Sequence, residues 1–337
     1  MAAVGVIGAG SWGTALARLL CDNGNDVVLW SYSENDVRML KEKHMQEKKL
    51  PGVLLPEMLQ YTGDLEEAMK DKEVLVLAVP SPFVRATAKK MASFYRQGQI
   101  IVSVSKGIED ETYFTLTDVI KDEIKDAEVC ALSGPSHAEE VVRQMPTTVV
   151  CASPVRAVAE KVQNIFMSRV FRVYTSSDLI GVELGGSLKN VIALAAGVVD
   201  GLEYGDNCKA ALITRGIHEI ARLALKMGAQ VETLSGLSGI GDLIVTCTSI
   251  HSRNRMAGYY IGQGHSTKEA MEMVKQVVEG VYSTKAAYHL SKKYDVEMPI
   301  ITEVNAVLFD NKDPKEAVED LMMRNRKSEI IDDSWET

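Results

Sequence analysis

Short runs of Val, Ile and Leu alternate with longer segments of helical period over the first 175 residues. The apolar runs predict strands at 3–7, 26–30, 73–79, 99–105, 128–132 and 147–151. The segments at 14–22, 33–47, 83–94 and 113–125 read as helices between most of them. Strands of β-branched residues, buried on both faces and separated by helices, predict an α/β unit with a doubly wound, mostly parallel sheet. Near residue 177 the β-branched runs stop and helical periods take over. Ile213, Ile217, Ile220, Ala224 and Met227 fall on one helical face, and Gly228 supplies the stop. The segment 310–323 predicts a late helix with Pro314 near its first turn. The expected division is a sheet domain over 1–178 and an all-α C-terminal domain over 179–337. The polar tail 327–337 is expected to fray.

Composition narrows the classes. Hydrophobic residues are 46% and charged residues 25%, the balance of a soluble globular chain. A formal charge of −9 leaves no basic footprint for nucleic acid and disfavours anionic membranes. The apolar run 191–199 falls far short of the roughly 20 residues that cross a bilayer. The N-terminus has no basic n-region or cleavage site, which argues against a signal peptide. Five scattered cysteines without C-x-x-C spacing fit a reducing cytoplasm. No metal-ligand spacing and no P-loop occur.

The first strand runs into Gly8-Ala9-Gly10-Ser11-Trp12-Gly13 and then a helical segment. This is the Rossmann-type dinucleotide fingerprint in its proper context. Gly8 permits the turn, Gly10 lets backbone approach a pyrophosphate, and Gly13 lets the helix pack on the sheet. The alternative is a glycine-rich turn that binds nothing. At the end of the second strand stands Trp30-Ser31-Tyr32-Ser33, with no acid for a ribose 2′-hydroxyl and no Arg for a 2′-phosphate. The missing acid tilts the reading towards NADP(H) over NAD(H).

Four further segments carry candidate chemistry. Lys106 follows the strand at 99–105, where ligands of such sheets collect, although a lone strand-end lysine is more often simply solvated. Ser133-Gly134-Pro135-Ser136-His137-Ala138 also follows a strand and suits backbone contact with a ligand better than nucleophilic catalysis. Lys189 and Asn190 lead into a helix apolar on all sides. Burial would lower the Lys189 pKa and suit it to proton transfer; a tip snorkelling to water is the equal alternative. Asp242 and Thr246 share a face if helical, and Ser252-Arg253-Asn254-Arg255 offers a fork for phosphate or a solvated basic turn.

Taken in order, the glycine turn, Leu50-Pro51-Gly52, Ser105-Lys106-Gly107, Ser133–Ala138, Leu184-Gly185-Gly186-Ser187-Leu188-Lys189-Asn190, Gly241-Asp242-Leu243 and Ser252–Arg255 closely resemble NAD(P)-dependent glycerol-3-phosphate dehydrogenases of the bacterial biosynthetic type. The resemblance runs from Val4 to about Arg326. It implies reduction of dihydroxyacetone phosphate to sn-glycerol 3-phosphate, feeding glycerophospholipid synthesis, in a cytoplasmic homodimer. Lys189 takes the role of catalytic acid/base, with Lys106 and Asp242 beside it. The resemblance assigns Gly134, Ser136, Asn190, Ser252, Arg253 and Asn254 to the substrate, with Lys106, Lys189 and Asp242. It assigns Ser11, Trp12, Tyr32, Lys106, Ala138, Arg253, Val277 and Glu279 to the cofactor, with the three glycines. Tyr32 departs from the basic residue or His that relatives often carry. A β-hydroxyacid dehydrogenase and a non-catalytic dinucleotide sensor are the rival readings.

Overall fold

The computed structural model describes residues 1–326, 328 and 329. Most of the tail expected to fray lies outside them. Eight strands form one sheet: β1 (Ala3–Ile7), β2 (Asp26–Trp30), β3 (Gln60–Thr62), β4 (Val74–Leu77), β5 (Ile100–Ser103), β6 (Glu128–Ser133), β7 (Thr147–Ala152) and β8 (Phe171–Ser176). Their order is β3-β2-β1-β4-β5-β6-β7-β8. Every neighbouring pair is parallel except β6 and β7. The winding reverses between β1 and β4, so the ligand crevice of this fold opens at the turns after those two strands. The glycine-rich turn sits there.

The six expected strands are present with ends shifted by a residue or two. The sequence reading lacked β3 and β8. β3 is a three-residue edge strand, and β8 alternates buried with exposed positions from Phe171 to Tyr174. The 33–47 helix is shorter than expected, Glu34–Lys43, because His44 takes a left-handed conformation at φ 46°. The helix expected over 310–323 begins instead at Pro314. Asp310 caps the preceding Pro299–Phe309 helix, and Asp313 accepts from Lys315 N at 2.7 Å to start the next one.

After the last strand the described chain is helical. Its centre is the Leu179–Gly201 helix, which begins twelve residues before the apolar run 191–199 and is buried almost throughout. Its neighbours approach closely because both surfaces lack side chains at the crossing. A Cβ on Gly197 would lie 1.9 Å from Arg255 O, and one on Gly258 would lie 1.9 Å from Leu194 O. That crossing fixes the Arg253–Gly262 helix against the helix that carries Lys189. The Gly205–Lys226 helix packs Ile220 and Ala224 into the same core, with Ile213 and Ile217 partly covered. Leu179–Gly201 is long and apolar enough to cross a membrane, yet 94% of its apolar window is covered by the rest of the fold; a helix pair bent by 50°, Val231–Thr248 with Arg253–Gly262, also passes on length and composition.

Candidate active site

Asp242 is 1% exposed and opens the Asp242–Thr248 helix. The preceding five residues, Leu237–Gly241, form a wide π-type turn with non-helical backbone at Gly239. A Cβ there would meet Leu234 O at 1.9 Å. This turn delivers the carboxylate to the junction between sheet and helices.

Two lysines converge on it. Lys189 Nζ donates to Asp242 Oδ1 at 2.5 Å and to Thr246 Oγ1 at 2.6 Å. Lys106 Nζ donates to Asp242 Oδ2 at 2.7 Å and to Gly134 O at 3.0 Å. Thr246 Oγ1 in turn donates to Asp242 O at 2.6 Å, one helical turn back, so the two residues do share a face. Lys189 is 6% exposed, which decides against a snorkelling tip. Burial pulls its pKa down to about 8; the Asp242 carboxylate opposes that fall and the Lys106 ammonium adds to it. Burial also holds the His137 imidazole below its ordinary value, and the charge on Lys189 adds to the effect.

The remaining expected residues group around this centre. Gly134 O also accepts from Ser136 Oγ at 2.8 Å, which places the Ser133–Ala138 turn against Lys106. Asn190 and Asn254 face each other: Asn254 Nδ2 donates to Asn190 Oδ1 at 2.9 Å, and Asn254 Oδ1 accepts from Gly280 N at 2.8 Å. Both side chains therefore tie three helices together. Ser252 caps the Arg253–Gly262 helix through Arg255 N at 3.2 Å. Arg255 is held by Asp200 at 2.6 Å, whereas Arg253 is exposed and touches only Gln276, at a loose 3.4 Å, among its hydrogen bonds to described side chains. Of the two arginines, Arg253 is the one available to an anion.

On the cofactor side, Gly8 adopts φ 124° and a Cβ on it would lie 2.7 Å from Ala78 O. A Cβ on Gly13 would meet Gly8 O at 1.9 Å, while one on Gly10 would meet nothing within 4 Å. The turn is closed where helix meets sheet and open at Gly10, the cradle a pyrophosphate needs. Ser11 opens the helix beyond it, and Trp12 packs partly on the sheet core. Ala138 is buried beside them in the same core. Tyr32 stands at the β2 end, 81% exposed. Val277 is half-buried, and Glu279 reaches across the crevice to accept from Ser81 N at 3.0 Å and from Ser81 Oγ. Burial pushes the Glu279 carboxyl up from its ordinary range.

Ser81 belongs to no motif of the sequence, and Ser187 lies in the Leu184–Asn190 motif without an assigned role. Ser187 Oγ donates to Gly107 O at 2.9 Å, and so joins the Lys189 helix to the Lys106 turn. Only the position of Ser81, just beyond the β4 end, could have drawn attention to it.

Fold and site together define a dinucleotide-linked dehydrogenase in which an α-helical half supplies a buried lysine. Residues 3–159 match the family described as NAD-dependent glycerol-3-phosphate dehydrogenase N-terminus, and residues 178–319 match its C-terminus counterpart. The chain is 61% identical over 335 residues to glycerol-3-phosphate dehydrogenase [NAD(P)+] of Agathobacter rectalis, covering 99% of this chain and 100% of that one. The Bacillus subtilis protein of the same name is 48% identical over 98% of this chain and 97% of its own. The crystal structure of glycerol-3-phosphate dehydrogenase from Coxiella burnetii superposes with a TM-score of 0.93 at 37% identity, over 96% of this chain and 99% of that one. The chain belongs to the NAD-dependent glycerol-3-phosphate dehydrogenase family and is an NAD(P)-dependent enzyme of that class.

Proposed function

We propose that this chain reduces dihydroxyacetone phosphate reversibly to sn-glycerol 3-phosphate, with Lys189 as the general acid/base. The observation that carries the reading is Asp242 held between the Lys189 and Lys106 nitrogens at 2.5 and 2.7 Å. Gly8, Gly10, Ser11, Trp12 and Gly13 would hold the dinucleotide, and the open face at Gly10 fits that role. When bound, the reduced nicotinamide supplies a hydride to the substrate carbon.

The chain's own residues do the rest. Negative charge develops on the carbonyl oxygen, and the Lys189 ammonium gives that oxygen a proton. Positioned proton transfer of this kind is typically worth about 10²–10⁴-fold in rate. Asp242 and Thr246 hold the ammonium in place, and Lys106 adds positive field where charge appears. Arg253, with no carboxylate ion-paired to it among the described residues and next to the helix N-terminus capped by Ser252, receives the phosphate. Gly134, Ser136, Asn190 and Asn254 shape the wall around it. Tyr32, Ala138, Val277 and Glu279 line the cofactor side.

We extend the reading to a two-domain division at 178/179, a cytoplasmic homodimer and a role in supplying glycerophospholipid backbones. The β2 end carries no acid, which favours NADPH over NADH. The test follows absorbance at 340 nm with dihydroxyacetone phosphate and each reduced dinucleotide in turn. Lys189→Met should abolish turnover and leave dinucleotide binding within about twofold. A wild-type kcat in that variant ends the proposal.

A further inference from the structure

The segment after the Glu34–Lys43 helix folds back beneath the glycine-rich turn. Its backbone is pinned: Leu55 N donates to His44 O at 2.7 Å, and Leu50 N donates to Gln46 O at 2.9 Å. Leu50, Val53 and Leu55 are buried in the sheet core. From this anchored base Gln46, 1% exposed, sends Nε2 to Ala9 O at 3.0 Å. Its other amide atom, Oε1, is buried with no hydrogen-bond partner among the described residues. The amide orientation is not free, because a flip would set Oε1 against the Ala9 carbonyl, acceptor to acceptor.

An unpaired buried acceptor is a standing cost that Met or Leu at this position would not carry. The glutamine is therefore poorly explained as packing. Its bond falls on the one peptide unit that matters most to the turn. In a trans peptide the C=O and the N–H point in opposite directions. Fixing Ala9 O towards Gln46 thus aims the Gly10 N–H away from the core. Gly10 is the position where a side chain would meet no atom within 4 Å, and it precedes a twelve-residue helix whose N-terminus has no side-chain cap. Glycine on either side of Ala9 leaves this peptide otherwise free to rotate.

We propose that Gln46 is a positioning residue for the dinucleotide: it locks the Ala9–Gly10 peptide plane so that the Gly10 amide meets the pyrophosphate already oriented. Gln46 itself does not touch the cofactor. The proposal rests on the reading of Gly8–Gly13 as the dinucleotide turn. Binding to a preset amide costs less ordering than binding to a mobile one.

The test uses the full-length enzyme, without substrate, and titrates NADPH against tryptophan fluorescence. Thermal melts check folding, and steady-state kinetics run in parallel. Gln46→Met, similar in length but without a donor, should raise the NADPH Kd and the NADPH KM about five- to tenfold. Its kcat and its KM for dihydroxyacetone phosphate should stay within about twofold. Gln46→Glu, nearly identical in shape, should weaken NADPH at least as much, and it decides the matter if the methionine variant does not fold. Gly10→Ala separates the two layers of the argument. If Gly10→Ala weakens NADPH but the folded Gln46 variants do not, the peptide lock is overturned and the turn stands. If Gly10→Ala leaves NADPH binding unchanged, the dinucleotide turn is misplaced and the lock falls with it. A lower melting temperature with unchanged NADPH Kd makes Gln46 a structural residue only.

Discussion

Lys189 Nζ reaches Asp242 Oδ1 at 2.5 Å across 53 residues of sequence, from a helix that is buried almost throughout. Neither group would be stable there alone. A buried ammonium without a partner loses its proton or costs several kcal/mol, roughly. A buried carboxylate flanked by a single lysine would still have an oxygen to satisfy. Asp242 uses both oxygens, one per lysine, and Lys106 passes the connection on to Gly134 O. The sheet half and the helical half thus meet at one carboxylate, and a substrate held there faces two cations and one anion.

This arrangement fixes a pH dependence. In the role proposed for Lys189, proton donation during carbonyl reduction uses its ammonium, whose pKa burial lowers to about 8. The rate of reduction should fall as pH rises through that value, and the rate of alcohol oxidation should rise through it. The Asp242 charge holds the pKa up against burial. Asp242→Asn should therefore move the alkaline limb of reduction to lower pH, besides lowering kcat by about 10²-fold or more. Profiles of kcat against pH from 6 to 10 check both. A limb that stays in place in Asp242→Asn would show that another group controls it.

The two arginines of the Ser252–Arg255 turn should behave differently despite their closeness. Arg253→Ala should raise the KM for dihydroxyacetone phosphate about tenfold or more, with little change in melting temperature, because among the described side chains Arg253 hydrogen-bonds only Gln276, and loosely. Arg255 is tied to Asp200, which also holds Lys209, so its loss leaves a carboxylate short of one partner. Arg255→Ala should cost about 1–3 kcal/mol of stability. Steady-state kinetics beside urea unfolding separates the two outcomes. An unchanged KM in Arg253→Ala would mean that the phosphate is held elsewhere.

Much of this was legible in the chain, and the reasons are physical. Strands β1, β2, β4, β5, β6 and β7 announce themselves because they lie inside the sheet and are largely apolar on both faces. β3 has only Gln60, Tyr61 and Thr62 at the sheet edge, and β8 alternates, so neither forms a β-branched run. The helical period put Asp242 and Thr246 on one face; the small apolar residues after Lys189 marked a buried helix but left the lysine tip evenly between core and water. Pro314 was read near the first turn of the last helix, but the start was set at Asp310; the break that Asn311 makes at φ 56°, just after the preceding helix, was passed over. Long-range bonds from side chain to backbone were not legible: Gln46 to Ala9, Ser187 to Gly107 and Glu279 to Ser81 join segments that no spacing rule connects.

A last expectation concerns stability away from the site. Glu219 is 2% exposed on the Gly205–Lys226 helix, where its carboxylate accepts from Ile300 N at 2.9 Å at the start of the Pro299–Phe309 helix. Burial outweighs these bonds and pushes its pKa up to about 7, and burial does the same to Glu183. A carboxyl whose folded pKa lies above its unfolded value holds a proton in the folded state that the unfolded chain has already released. Folding stability from such a group is present below the ordinary value near 4.5 and declines as pH rises towards about 7. Glu219→Gln retains an oxygen for Ile300 N but cannot ionise. It should flatten part of that decline and leave the rest to Glu183. Urea midpoints at pH 5 and pH 7.5 for both proteins measure the difference. An identical slope in wild type and Glu219→Gln would mean that Glu219 already carries its charge at neutral pH, stabilised by the helix N-terminus it caps.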